Sequence, residues 1–270
     1  MHRVFSTFDF KMFQPKGLLS TQVQGLWSAS VSSQSSDDIK RWLHSDACSG
    51  ILFNFARDIN LNESAFSSGV LLLPVSKQAQ LITLPPGSQL VGVRFHPAIS
   101  FSVLGTLYDQ PTTLKVEDEF SFSLNSLYWQ LASVQGHYAR IITLYRWLHK
   151  IIGSSNVLPC SLMKALNTLN PNMTMRTLSE SVPLSQRQTE RQFQRWMNMT
   201  PKYYQRILRV QSTLNSLKYN PAIDLADLAL NYGFTDQAHM TREFKQIAKT
   251  TPRQYSKLVR CHKKVEKNEA

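Results

Sequence analysis

The sequence predicts an α+β chain, with a mainly-β N-terminal domain closed by two helices and then an all-α domain of two helix-turn-helix units. Short β-rich runs crowd the first hundred residues. Near Phe122 the apolar period changes to that of helices, and the second half repeats itself at an offset of 51 residues.

The strands are read from Ile51-Leu52-Phe53-Asn54-Phe55, Val70-Leu71-Leu72-Leu73, Leu81-Ile82-Thr83-Leu84 and Leu90-Val91-Gly92-Val93-Arg94-Phe95. Each is short and rich in β-branched or aromatic residues, and turn signals such as Pro85-Pro86-Gly87 and His96-Pro97 separate them. The serine-rich stretch 28–38 reads as a loop. Two helices follow, because Leu124, Leu127, Tyr128 and Leu131 recur at i, i+3, i+4, i+7, as do Ile141, Leu144, Tyr145 and Leu148, with Gly136 as the break. Gly153-Ser154-Ser155-Asn156 and Pro159 mark a boundary. The expected division is a sensory or dimerising domain over 1–153, a linker over 154–160, a DNA-binding domain over 161–260 and a polar tail over 261–270.

Charge separates the two halves. Residues 1–160 hold 12 basic and 10 acidic side chains, whereas 161–270 hold 18 and 8, so the second half carries nearly all of the net +12. Such concentration is the footprint of a polyanion binder. The three cysteines, Cys48, Cys160 and Cys261, are too scattered for a disulfide framework or a zinc cluster, and they read as reduced thiols of a cytoplasmic protein. No apolar run is long enough to span a bilayer. No secretory signal, metal site or cofactor motif is expected.

In the repeat, Ser185 pairs with Asp236, Arg191 with Arg242, Phe193 with Phe244, Thr200-Pro201 with Thr251-Pro252, and Tyr204 with Tyr255. Ser185 and Asp236 are good helix N-caps, since their side-chain oxygens accept orphan backbone N–H bonds. Each capped helix turns Phe193 and Trp196, or Phe244 and Ile247, toward the core. The opposite face offers Arg187, Glu190 and Arg191 in the first copy and Gln237, His239, Thr241 and Arg242 in the second. A short helix precedes each, at Met175–Ser181 and Leu225–Asn231, and Thr-Pro then opens a fresh helix with proline at its first position. Helix, turn and capped helix is the helix-turn-helix pattern, whose second helix enters the major groove. A helix over 201–218 would hold two such units about one DNA turn apart.

These residues resemble the AraC/XylS family of bacterial transcription regulators. The close match runs through Asp227-Leu228-Ala229, Tyr232-Gly233-Phe234-Thr235-Asp236-Gln237-Ala238-His239-Met240-Thr241-Arg242-Glu243-Phe244-Lys245 and Thr251-Pro252-Arg253-Gln254-Tyr255, within a resemblance that covers 161–259. It implies seven helices, both recognition helices on one DNA face, and double-stranded DNA and RNA polymerase as partners. By motif position it implies base-facing roles for Arg187, Glu190 and Arg191 and for Gln237, Ala238, His239, Thr241 and Arg242. Thr189 departs from the family's usual leucine. Ala238 is too small to hydrogen-bond a base, though its methyl can meet a thymine methyl. In the first half, Gly92-Val93-Arg94-Phe95-His96-Pro97 and Leu104-Gly105 resemble the N-terminal domain of one AraC-type subgroup, which implies sensing or dimerisation.

Several residues have two readings. Lys202, Arg206, Arg209, Lys245 and Lys249 are phosphate contacts or plain surface. Glu190 accepts from a cytosine amino group or, the preferred reading, pairs with Arg187 or Arg191. Arg94 and His96 line a pocket for a small-molecule effector, or they are a surface residue and a turn residue. The helices after Phe122 form a homodimer interface or pack on their own sheet. No Ser/His/Asp arrangement accompanies His96 or His137 along the sequence, and no enzyme activity is expected. Two other functions compete. A DNA-repair alkyltransfer protein would need a zinc-activated cysteine among four close ligands, and a non-specific architectural binder would not need recognition faces so varied.

Overall fold

The computed structural model describes residues 7–152 and 158–268, with side chains through Cys261. Residues 153–157, which include much of the expected linker, lie outside the described residues. The chain divides into two compact units: the first takes Met1–Leu43, Cys48–Ser76 and Gln80–Leu158, the second His44–Ala47, Lys77–Ala79 and Pro159–Ala270.

The first unit carries two antiparallel sheets. One has six strands in the order β1 (Phe8–Phe13), β2 (Val23–Val31), β9 (Gln89–Phe95), β4 (Ser49–Asn54), β7 (Gly69–Leu73) and β10 (Thr112–Thr113). The other orders β3 (Ile39–Leu43), β8 (Gln80–Leu84), β5 (Ile59–Leu61) and β6 (Ser64–Phe66). The β4 strand is central and every residue in it is buried, because β9 and β7 flank it and both of its faces are covered. A strand covered on both faces reads as an unbroken apolar run, which is why it was visible in sequence. Leu52, Leu71 and Leu90 from the first sheet join Ile59, Ile82 and Leu84 from the second in one buried cluster, so the two sheets share a core.

The four expected strands are present as β4, β7, β8 and β9. The serine-rich stretch is corrected at its start: Ser28, Ala29, Ser30 and Val31 belong to β2, and only the residues after Val31 leave it. Ser28 is buried in that strand, and its hydroxyl donates to the Leu90 carbonyl at 3.2 Å. A small residue whose polar group is satisfied fits between two strands, although its composition resembles that of a loop.

Helix α1 (Ile99–Leu104) follows β9, and α2 (Glu119–Ser133) and α3 (His137–Ile152) close the unit. Asp118 caps α2, its carboxylate accepting from the Ser121 N–H at 2.7 Å while the Ser121 hydroxyl accepts from the Asp118 N–H at 2.9 Å. The expected apolar rows are buried through Leu124, Leu127 and Leu131 on α2 and Ile141, Leu144 and Leu148 on α3. The break at Gly136 has φ +83°, a conformation that glycine adopts without steric cost. Arg140 lies buried on α3 over the Phe55 ring at 4.5 Å and donates to Gln89 Oε1 at 2.8 Å; its burial lowers its pKa from the ordinary arginine value.

The second unit is all-α. Its helices are α4 (Cys160–Thr168), α5 (Met175–Ser181), α6 (Gln186–Met197), α7 (Pro201–Tyr219), α8 (Leu225–Asn231), α9 (Gln237–Ala248) and α10 (Pro252–Asn268). The segment expected as a tail after Arg260 continues α10 as helix through Asn268. Among the described residues no helix is long and apolar enough to cross a membrane.

Candidate DNA-binding surface

Helices α6 and α9 are built alike. Ser185 Oγ accepts from the Gln188 N–H at 3.3 Å, and Gln188 Oε1 returns the bond from the Ser185 N–H at 2.9 Å. Asp236 Oδ1 accepts from the His239 N–H at 2.6 Å. Both helices end on a left-handed residue, Asn198 at φ 50° and Lys249 at φ 57°, again 51 residues apart. The repeat therefore extends to the backbone of the stop signal.

The buried stripe of α6 is Thr189, Phe193 and Met197, and that of α9 includes Met240, Phe244 and Ile247. Phe193, Phe244 and Ile247 lie where expected. Trp196 is only half-buried, since Met197 takes the core position one turn after Phe193. Thr189 fits the core despite its hydroxyl, which donates to the Ser185 carbonyl at 3.1 Å.

What remains outside is polar apart from Ala238. Arg187, Glu190 and Arg191 are exposed on α6, and Gln237, Ala238 and Arg242 on α9. Arg187, Arg191 and Arg242 have no ion-pair partner among the described residues. Glu190 departs from the preferred pairing: it accepts from Gln186 Nε2 at 3.0 Å, one turn earlier on the same helix, and not from an arginine. Thr241 is half-buried and donates to the Gln237 carbonyl at 2.9 Å, which leaves its methyl and the acceptor lone pairs of its hydroxyl as the groups it can present. His239 is also half-buried, with both ring nitrogens engaged.

The five phosphate-contact candidates divide. Lys202, Lys245 and Lys249 are exposed. Arg206 and Arg209 are engaged inside the unit. Arg206 Nε donates to Glu243 at 2.9 Å and Nη2 to Gln246, and Arg209 Nη1 donates to the Gly233 carbonyl at 3.1 Å. On the same helix Gln205 is buried, and its amide donates to the carbonyls of Asn170 and Met173. The polar row of α7 thus fastens the loop before α5 on one side and the second helix-turn-helix on the other. Sequence spacing marked these cations as surface because it does not reveal which polar groups stand opposite.

Residues 178–258 match the family model described as a helix-turn-helix domain. The second unit contains, over these residues, an AraC-type helix-turn-helix domain. A domain of this kind makes the chain a DNA-binding transcription regulator. No curated protein sequence matches the chain. Among solved structures the chain is similar to ToxT from Vibrio cholerae, at 8% identity over 93% of this chain and 98% of that one, with a TM-score of 0.47. A structure of ToxT bound to (E)-4-(8-methylnaphthalen-1-yl)but-3-enoic acid is similar at 10% identity over 94% and 100% of the two chains, with a TM-score of 0.46.

The AraC-type domain has surface cations that sequence reasoning missed. A cleft lined by Ile223, Asp224, Gln237, Arg253, Gln254 and Lys257 opens beside the first turn of α9. Arg253 and Lys257 are exposed there. Their spacing of one helical turn after Thr251-Pro252 was the available signal.

In the first unit, His96 is a turn residue: its Nε2 lies 3.1 Å from the Ser20 carbonyl, and its backbone N–H donates to the Gln22 carbonyl at 2.9 Å. Arg94 is half-buried in β9 between Gly25 and Gly50, its cross-strand partners on either side. The expectation for His137 is corrected. Folding brings Ser28 Oγ to 2.7 Å from its Nδ1 and Asp9 Oδ2 to 3.2 Å from its Nε2, a Ser/His/Asp grouping drawn from three elements and invisible along the sequence. The Ser28 side chain is buried, so the grouping ties β1, β2 and α3 together.

Proposed function

We propose that this regulator reads two successive major grooves with α6 and α9. The observation that carries this is the matched pair of capped helices, each holding an exposed, unpaired arginine at the same repeat position, Arg191 and Arg242. Arginine pairs bidentately with guanine O6 and N7. Arg187, Glu190, Gln237, Ala238 and Thr241 complete the reading faces. The 19 residues of α7 at ~1.5 Å each span roughly 28 Å. One turn of B-DNA is about 34–36 Å. Bending the duplex toward the domain closes the difference.

Lys202, Lys245 and Lys249, with Arg253 and Lys257, would neutralise phosphates beside the grooves. The 161–260 segment is then the DNA-binding domain, and the 1–153 segment receives the signal. Arg94, with glycine on both neighbouring strands, is the anchor proposed for a small anionic effector. Regulation through RNA polymerase follows from sequence-specific binding to double-stranded DNA, as does a cytoplasmic location. The chain acts by binding and not as an enzyme: the one Ser/His/Asp grouping described above has its serine buried, with the hydroxyl oriented toward a backbone carbonyl.

The test is selection of sites from random duplex DNA by the full chain, followed by titration at fixed salt. Arg242→Ala and Arg191→Ala are each expected to weaken binding about tenfold or more, since a bidentate pair is worth ~1–3 kcal/mol, and to relax preference at one base pair. Equal affinity rejects the assignment. Affinity should also fall with added salt, with a log–log slope of about −0.9 per phosphate contact, and a flat response would remove those contacts.

A homodimer is also proposed. Phe122 and Trp129 on α2 and Tyr138 and Ile142 on α3 are each exposed at 50% or more, large apolar side chains that a second copy of the chain would cover. Sedimentation at micromolar concentration is expected to give a dimer, and a monomer would remove this proposal.

A further inference from the structure

Position 239 follows an exposed alanine at the start of a recognition helix, where a histidine would ordinarily be assigned to a base. The geometry points to another role. The Thr235 backbone N–H donates to His239 Nδ1 at 3.2 Å, so that nitrogen holds a lone pair and the ring proton sits on Nε2. Nε2 in turn faces Glu243 Oε1 at 3.3 Å. Glu243 is buried and accepts from Arg206 Nε on α7 at 2.9 Å, and the Arg206 guanidinium also reaches Gln246 and lies over the Tyr203 ring at 5.2 Å. A continuous polar chain thus runs from the turn before α9, through two successive turns of α9, into α7.

The first copy places the same two jobs at the same two positions. An offset of 51 maps Gln188 onto His239 and Gln192 onto Glu243. Gln188 reaches back to the Ser185 N–H at 2.9 Å, while the Gln192 amide donates to Ser161 Oγ on α4 at 3.2 Å. In both copies the first position anchors the start of the recognition helix and the second ties that helix to a neighbour. The residues differ, but the hydrogen-bonding task is conserved within the repeat.

We propose that His239, Glu243 and Arg206 are positioning residues for DNA reading: they fix the seat of α9 on α7, and His239 contacts no base. This rests on the reading of α9 as a recognition helix. It also makes a sharp distinction among substitutions. Glutamine at 239 reproduces the solution of the first copy, because its side-chain oxygen can accept the N–H of the cap residue Asp236 as Gln188 accepts that of Ser185. Alanine cannot.

The experiment is site selection from random duplex DNA by the full-length wild type, His239→Gln and His239→Ala, with affinities for the enriched site measured at one salt concentration. The expected result is that His239→Gln enriches the wild-type sequence with affinity within about threefold. His239→Ala should lose at least tenfold and relax every base pair of the α9 half together. Should His239→Gln change the preferred base at one pair and leave the rest intact, His239 is a base reader and the proposal is overturned. Unchanged sequence and affinity in His239→Ala would overturn it too. If wild type enriches no sequence, the DNA-reading function itself falls and takes this proposal with it, an outcome distinct from the other two. A nitrogen-15 spectrum of the free protein adds a readout independent of DNA and of whether His239→Ala folds. It should place the imidazole proton of His239 on Nε2, and a proton on Nδ1 would contradict the geometry.

Discussion

Gly50→Ala is expected to cost the first unit about 3 kcal/mol or more, the upper end of the range for overpacking a well-filled interior. A Cβ at this position would sit 2.4 Å from the Val93 carbonyl oxygen of the neighbouring strand. Most steric conflicts of this kind relax when a flexible side chain swings away. Here the obstruction is backbone, in a strand paired on both sides, and Gly50 itself lies on the fully buried β4. Relief requires β4 and β9 to separate, with loss of ladder hydrogen bonds. Chemical denaturation followed by the near-ultraviolet signal of Trp27 on β2 would measure this. A midpoint unchanged from wild type would mean that the sheet tolerates the methyl. Gly92→Ala makes an instructive contrast, because its Cβ would meet the Trp27 ring at 2.4 Å, and a half-buried indole has somewhere to go.

The second large effect is expected at Phe244→Ala. This side chain is fully buried, and its ring lies 6.3 Å from that of Tyr255 across the α9–α10 junction. Truncating a buried phenylalanine costs about 3–5 kcal/mol through lost burial and the cavity left behind. In an all-α unit of this size that is a large share of a stability of ~5–15 kcal/mol. Because Phe244 sits beneath the exposed row of α9, specific DNA affinity should fall with stability. Far-ultraviolet melting together with a DNA titration checks both, and a melting temperature within about 1 °C of wild type would contradict the packing assigned here. Phe193→Ala, the same position in the first copy, is expected to behave alike, its ring 5.9 Å from that of Tyr204.

The second unit was legible in sequence almost element by element. Its helices announce themselves through local rules, namely caps at Ser185 and Asp236, proline at the first position of α7 and α10, and an apolar period that stays constant through each helix. The first unit was legible in β4, β7, β8 and β9, apolar runs with a strand on either side, and in the helical period of α2 and α3. Edge and short strands such as β1, β5 and β10 depend on partners distant in sequence, and no local pattern reports a partner. Ser28 shows the limit, since its composition argues for a loop while its hydrogen bonds place it within a strand.

Among site residues the division is similar. The exposed face of each recognition helix followed from helical period, and Arg187, Arg191, Gln237 and Arg242 lie outward as expected. Arg206, Arg209 and His239 did not follow. Each is a polar residue whose partner belongs to another turn or helix, so its direction was set by a group that periodicity does not contain. The repeat could have found His239, because Gln188 occupies the same position and is an ordinary capping residue.

The fastening of α7 on two of its sides limits how this chain can change. Gln205 grips one reader's support and Arg206 and Arg209 the other's, within little more than one helical turn. Inserting one residue between those grips would swing the far reader by about 100° around the helix axis, so its fingers would face empty solvent. Side chains on α6 and α9 can drift toward new base sequences one at a time. The gap between the two half-sites cannot drift with them, and descendants of this chain should differ in the letters they recognise long before they differ in spacing.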